Sequence, residues 1–150
     1  MLKYTDYDVV FREVPDEVTL AINLSNCPHR CRGCHSPQLQ QDIGEELDER
    51  ALSLIVERYL TAVTCVCFMG GDADSQAVGC LADFVKKRWG GQLKTAWYSG
   101  NNELYNKSLL NSFDFIKIGE YIETLGGLDK STTNQRLYRV VGGDMIECRM

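Results

Sequence analysis

The chain has 150 residues, enough for one domain with a hydrophobic core and too few for two, and its 44% hydrophobic and 25% charged content is ordinary for a globular protein. A net charge of −5, with basic residues scattered, argues against the basic face or stripe of a nucleic-acid binder. No apolar run approaches the roughly 20 residues of a membrane-spanning helix, and the polar start MLKYTDYDVVFRE carries no apolar signal region, so the expected compartment is the cytoplasm.

Along the chain, YDVVFRE and EVTLAINL are extended runs separated by Pro15-Asp16, which predicts a hairpin. The second run leads directly into CPHRCRGCHSP, Cys27 to Pro37. From about residue 47 to 63, LDERALSLIVERYLTAV places Leu52, Ile55, Val56, Tyr59 and Leu60 at helical spacing behind Asp48 as N-cap. TCVCFM is apolar on both faces, as a buried parallel strand requires, and ends at Gly70-Gly71-Asp72. SQAVGCLADFVKKRW predicts a helix whose Lys86, Lys87 and Arg88 complement the dipole at its C-terminus. LKTAWYSG then reads as a strand, NNELYNKSLLNS as a helix and FDFIKIG as a strand, and RLYRVVGGDMIEC as two short strands around Gly142-Gly143. With no linker, repeat or low-complexity tract, the expectation is a single domain over 1–150.

Strands and helices alternate from residue 18 to about 119, which predicts an α/β fold of βα units around a mostly parallel sheet. Ligands of such sheets gather at the carboxyl ends of the strands. The cysteine loop, Gly70-Gly71-Asp72, Tyr98-Ser99-Gly100 and Gly119-Glu120 should therefore open on one rim.

Seven cysteines is a high and odd count, which in a reducing compartment argues against a disulfide framework. Three of them form the C-x3-C-x2-C pattern of Cys27, Cys31 and Cys34. Cys31 and Cys34 have the spacing of a dithiol redox pair, which leaves Cys27 without a role. Structural zinc needs four ligands, usually as two separated pairs, and no second pair follows. Three thiolates without a fourth suit a four-iron, four-sulfur cluster with one iron left open, with zinc and thiol exchange as the alternatives. His29 and His35 read as loop residues or hydrogen-bond donors, Cys65 and Cys67 as small hydrophobes on a buried strand. Cys80 has no partner nearby in sequence and Cys148 reads as a free thiol, so one cluster is expected rather than two.

A C-x3-C-x2-C loop followed by MGGD (residues 69 to 72) at the end of the next strand resembles the radical S-adenosylmethionine superfamily. Within it, CPHRCRGCHSP, MGGD, WYSG and STTNQRLYRV together resemble the activating proteins of anaerobic (class III) ribonucleoside-triphosphate reductases. Three features depart from the family's habits. The lead VPDEVTLAINLSN is not glycine-rich, Asp72-Ala73 stands where Glu-Pro is common, and Gly33 precedes the third cysteine in place of an aromatic.

The resemblance implies an incomplete βα barrel of the radical S-adenosylmethionine type. It implies that Cys27, Cys31 and Cys34 bind three irons of a [4Fe-4S] cluster whose fourth iron chelates S-adenosylmethionine. Gly70, Gly71 and Asp72 would face the methionine part through backbone groups, and Tyr98, Ser99 and Gly100 would approach the ribose or adenine. Asn134, Gln135 and Arg136 would order the rim or contact a partner. The implied activity is an oxidoreductase's. An electron from a flavodoxin-like donor cleaves the cofactor, and the resulting 5′-deoxyadenosyl radical takes a hydrogen from a glycine of the reductase. The alternatives are a small-molecule enzyme similar to 7-carboxy-7-deazaguanine synthase, a pyruvate formate-lyase activase, and a zinc-stabilised interaction module without catalysis.

Overall fold

The computed structural model describes residues 2–25, 43–104, 107–128, 130 and 132–148. Its centre is an eight-stranded sheet in the order β3-β1-β2-β4-β5-β6-β7-β8. The strands are β1 (Lys3–Val10), β2 (Thr19–Leu24), β3 (Glu45–Glu46), β4 (Cys65–Met69), β5 (Lys94–Tyr98), β6 (Phe115–Ile118), β7 (Arg136–Val141) and β8 (Asp144–Cys148). Helix α1 (Glu49–Tyr59) links β3 to β4, and helix α2 (Ser75–Trp89) links β4 to β5.

The helices form where their sequence signals lie. Asp48 caps α1 by accepting from the Ala51 N–H at 2.8 Å, and Asp74 caps α2 by accepting from the Ala77 N–H at 3.3 Å. The basic end of α2 is absorbed within the fold: Lys86 pairs with Asp114 at 2.8 Å, and Arg88 pairs with Glu57 at 3.3 Å. Among the described residues of NNELYNKSLLNS, expected as a helix, the chain forms a short 3-10 helix over Lys107–Ser112 in place of an α-helix. Its asparagines and serines compete for backbone hydrogen bonds and weaken a longer helix.

The sheet corrects the expected architecture. β2, β4, β5 and β6 pair in parallel, but β1 joins β2 and β3 antiparallel, and β7 joins β6 and β8 antiparallel. The result is an open, mixed sheet with β3 and β8 as edges, not an incomplete βα barrel with a mostly parallel sheet. The physical reason lies in the connections. A parallel return needs a crossover, usually a helix, and the described residues between β6 and β7 form none, in keeping with the antiparallel return of β7.

Register separates the two faces. Leu20, Ile22 and Leu24, Val66 and Phe68, Trp97 and Ile116 point to the helix side, where they bury against Leu52, Ile55 and Val56 of α1 and Val78, Leu81, Ala82 and Val85 of α2. The opposite face is lined by small side chains, Ala21, Cys65, Cys67 and Ala96, together with Phe115 and Leu137. No helix covers it among the described residues. Instead the turn between β1 and β2 folds across it, with Val14 fully buried against Cys65, Cys67 and Ala96. The Tyr98 hydroxyl holds this strap by donating to the Glu13 carbonyl. Among the described residues no helix is long and apolar enough to cross a membrane.

Cys65 and Cys67 therefore behave as the apolar fillers that their strand suggested. Burial pushes both thiols up, Cys65 to about 12. Because the folded state holds the neutral thiol, this contribution is complete below the ordinary thiol value near 9 and is lost as pH rises toward 12. Resistance to urea should decline across that window, and a Cys65→Ala variant should decline less steeply. Alkylation of the native protein with iodoacetamide, mapped by peptide mass, should modify exposed Cys80 and leave Cys65 and Cys67 unmodified until urea is added.

Candidate functional site

The parallel strands end side by side. Register places Asn23, Met69, Tyr98 and Lys117 in one row across β2, β4, β5 and β6, so the chain leaves the sheet at neighbouring points: Ser25, Gly70, Ser99 and Gly119. This is the shared rim that the strand-end loops implied.

The first loop is anchored at both ends. The Ser25 hydroxyl donates to the Ile43 carbonyl at 2.5 Å, and the Ser25 N–H donates to the Lys3 carbonyl at 3.0 Å. The segment between Ser25 and Ile43 thus starts and finishes at the same point of the rim. It carries Cys27, Cys31 and Cys34, which lie outside the described residues.

Gly70 and Gly71 close β4. The Gly70 N–H donates to the Tyr98 carbonyl at 2.9 Å, and its carbonyl accepts the Trp97 indole N–H at 2.7 Å. Gly71 has φ +85°, and a Cβ there would lie 2.6 Å from Val78 Cγ2 and 2.8 Å from Leu24 Cδ1. Only glycine turns the chain at this point while leaving it pressed onto the core.

Asp72 points sideways along the rim. Its carboxylate accepts the Ser99 hydroxyl at 2.5 Å and the Gly100 N–H at 2.8 Å, and Ser99 Oγ accepts the Asn101 N–H at 3.0 Å. The β4 and β5 loops are joined by this side chain. The Asn101 carbonyl then accepts the Gly119 N–H at 2.6 Å, which brings in the β6 loop. Tyr98 lies in the row beside Met69. Its ring faces the small-residue side, and its hydroxyl is committed to the strap. Burial raises its phenol above the ordinary value.

The late Asn-Gln-Arg stretch completes the rim. Asn134 Nδ2 donates to the Glu120 carbonyl at 3.1 Å, and Gln135 Nε2 donates to the Gly119 carbonyl at 3.3 Å. Arg136 donates to the Thr133 and Gln135 carbonyls at 2.7 and 2.8 Å, and pairs with Glu147 at 3.2 Å. Asn134 and Gln135 thus bond the β6 loop, while the bonds of Arg136 are to its own turn and to β8.

Sequence reading missed Lys117. It is buried, and its ammonium donates to the Ser99 carbonyl at 3.0 Å and the Gly119 carbonyl at 2.9 Å. The Lys117 ammonium also sits 5.8 Å from the centre of the Tyr98 ring. A lysine inside the apolar run FDFIKIG was the available signal, because a buried ammonium must find acceptors.

No group of three or more histidine, cysteine or acidic side chains among the described residues could hold a metal. Cys65 and Cys67 are held as neutral thiols in the sheet, Cys80 is exposed on α2, and Cys148 lies on the edge strand β8. Cys27, Cys31 and Cys34 lie outside the described residues, on a segment whose ends are tied together at Ser25 and Ile43. Three thiolates are the right chemistry for iron and sulfide.

A family model described as a 4Fe-4S single cluster domain matches residues 18–141. The chain belongs to that family. It is an iron–sulfur protein on this ground, and the match takes in the cysteine segment and the four parallel strands of the rim. No curated protein and no solved structure gives a significant match.

The fit at Gly71 is open to a direct check. Gly71→Ala should lower stability by about 1–3 kcal/mol in urea unfolding, from overpacking against Val78 and Leu24. Gly90→Ala, at φ +57° with nothing within 4 Å of the added Cβ, should cost less.

Proposed function

We propose that the chain is a radical S-adenosylmethionine enzyme that activates a glycyl-radical protein, with an anaerobic ribonucleoside-triphosphate reductase as its partner and a flavodoxin-like protein as its electron donor. The observation that carries this reading is the rim. The segment with three cysteines, the Gly70-Gly71-Asp72 turn, the Ser99-Gly100 turn and Gly119 all leave the sheet at adjoining strand ends. Membership of a single-cluster 4Fe-4S family supports it from a separate direction. The reading does not need a barrel. It needs parallel strands whose carboxyl ends sit together, which β2, β4, β5 and β6 supply.

In this proposal Cys27, Cys31 and Cys34 hold the cluster and leave one iron for S-adenosylmethionine. When bound, the cluster and S-adenosylmethionine would together supply one-electron reductive cleavage chemistry for hydrogen abstraction from a glycine of the partner. The protein's own task is placement. Gly71 lets the β4 turn press onto Val78 and Leu24, where a Cβ would clash, and so sets where the backbone of that turn meets the methionine part. Ser99 and Gly100 form the adjoining wall, and Lys117 fixes the carbonyls of Ser99 and Gly119 beneath it. Tyr98 and the strap that it pins close the small-residue face, so the partner's glycine segment approaches over the rim rather than through the sheet.

The test is anaerobic reconstitution followed by cleavage. Wild-type protein should take up about four irons and four sulfides per chain and form 5′-deoxyadenosine with dithionite as reductant. Cys31→Ala should abolish that product, and removing iron with a chelator should do the same. A colourless protein holding one zinc and inert toward S-adenosylmethionine would contradict the proposal.

A further inference from the structure

We infer that Asp72 is a positioning residue: its carboxylate clasps the β4 loop to the β5 loop through Ser99 and Gly100, and so sets how tightly the rim binds its ligand. The inference rests on the reading of the rim as an S-adenosylmethionine site, but it assigns the acid a different task from contact with the methionine part.

Two observations lead to it. The first is direction. Asp72 Oδ1 takes the Ser99 hydroxyl at 2.5 Å and Oδ2 takes the Gly100 N–H at 2.8 Å, so each carboxylate oxygen is engaged by the neighbouring loop. Hydrogen bonds to an ionised acceptor are the stronger kind, and Ser99 is almost wholly buried, which protects this one from water. The second is continuity. Ser99 Oγ also accepts the Asn101 N–H at 3.0 Å, and the Asn101 carbonyl accepts the Gly119 N–H at 2.6 Å. Gly119 offers its carbonyl to Lys117 and Gln135, at 2.9 and 3.3 Å. One carboxylate therefore stands at the head of a bonded series that crosses three strand-end loops.

The clasp also gives a reason for aspartate at this position. Asp72 opens a 3-10 turn, Asp72–Asp74, immediately after the constrained Gly71. From that fixed start a carboxylate one methylene longer would push Ser99 and Gly100 away from the β4 loop. The short side chain holds the two loops at hydrogen-bonding distance.

The experiment compares wild type with Asp72→Ala, Ser99→Ala and the double variant. Alanine at 72 removes both carboxylate oxygens and leaves the Gly100 N–H and the Ser99 hydroxyl without that acceptor. Alanine at 99 removes the hydroxyl that serves both Asp72 and Asn101. Amide hydrogen exchange of the purified protein is the first readout, and it does not depend on any cluster. Gly100 should exchange about tenfold faster in Asp72→Ala, and Asn101 about tenfold faster in Ser99→Ala. The second readout is cleavage by the iron-loaded protein. Both single variants should raise KM for S-adenosylmethionine about tenfold while kcat stays within about threefold. The double variant should fall short of the product of the two single effects, because the Asp72–Ser99 bond is lost in both.

Unchanged exchange at Gly100 in Asp72→Ala would overturn the clasp. So would a collapse of kcat at saturating S-adenosylmethionine with KM unaltered, since that places the carboxylate on the reacting ligand. If wild-type protein cleaves no S-adenosylmethionine, the proposed function fails, and the exchange data still decide whether Asp72 joins the loops. Should Asp72→Ala fail to fold, Asp72→Glu tests the clasp instead: its longer carboxylate should also speed Gly100 exchange, and unchanged exchange would overturn the clasp.

Discussion

The in-register parallel pairing of β2, β4, β5 and β6 is the constraint on which the rest of the structure depends. It aligns Asn23, Met69, Tyr98 and Lys117 across the sheet, so the residues that follow them must come together at one edge. The same register divides the side chains between two unlike faces. One face is built from Leu20, Ile22, Phe68, Trp97 and Ile116 and demands the helices above it. The other is built from Ala21, Cys65, Cys67 and Ala96, and a short strap with Val14 is enough to close it.

That division explains how a small chain can support a site without a closed barrel. α1 and α2 and the apolar face supply the burial, roughly 1.5–3 kcal/mol for each large side chain removed from water. The rim is then free to be made of glycines, a serine, an aspartate and backbone carbonyls, none of which fills a core. Its order comes from hydrogen bonds that link one strand end to the next, from Asp72 through Ser99 and Asn101 to Gly119 and Gln135. Lys117 belongs to the same economy. A buried ammonium is costly unless acceptors surround it, and two carbonyls of the rim loops do so here.

Much of this was legible in the residues. Asp48 ahead of Leu52, Ile55 and Val56 marked α1, and the apolar run TCVCFM marked a strand buried on both faces. The N-terminal hairpin and the pair of strands around Gly142-Gly143 were also readable, yet their effect on the architecture was not. Both join the parallel core antiparallel, and which strand each one pairs with is a non-local outcome that no element's own pattern encodes. The expected barrel fell for this reason. At the site, the order of the glycine turns was readable from the chain, whereas the direction of the Asp72 carboxylate was not. An acid after two glycines looks ligand-facing until Ser99 and Gly100 are placed beside it by β5. Tyr98 was similar: its place at a strand end was clear, and the use of its hydroxyl on the Glu13 carbonyl was set by a strap more than eighty residues earlier.

The central claim is that three thiolates at this rim leave one iron open for S-adenosylmethionine. Electron paramagnetic resonance of the reconstituted, dithionite-reduced protein addresses it most directly. The account predicts the signal of a reduced four-iron cluster whose g-values shift when S-adenosylmethionine is added, because the ligand occupies the open iron. A four-iron signal that does not respond to S-adenosylmethionine, with Cys27, Cys31 and Cys34 each required for iron uptake, would contradict it.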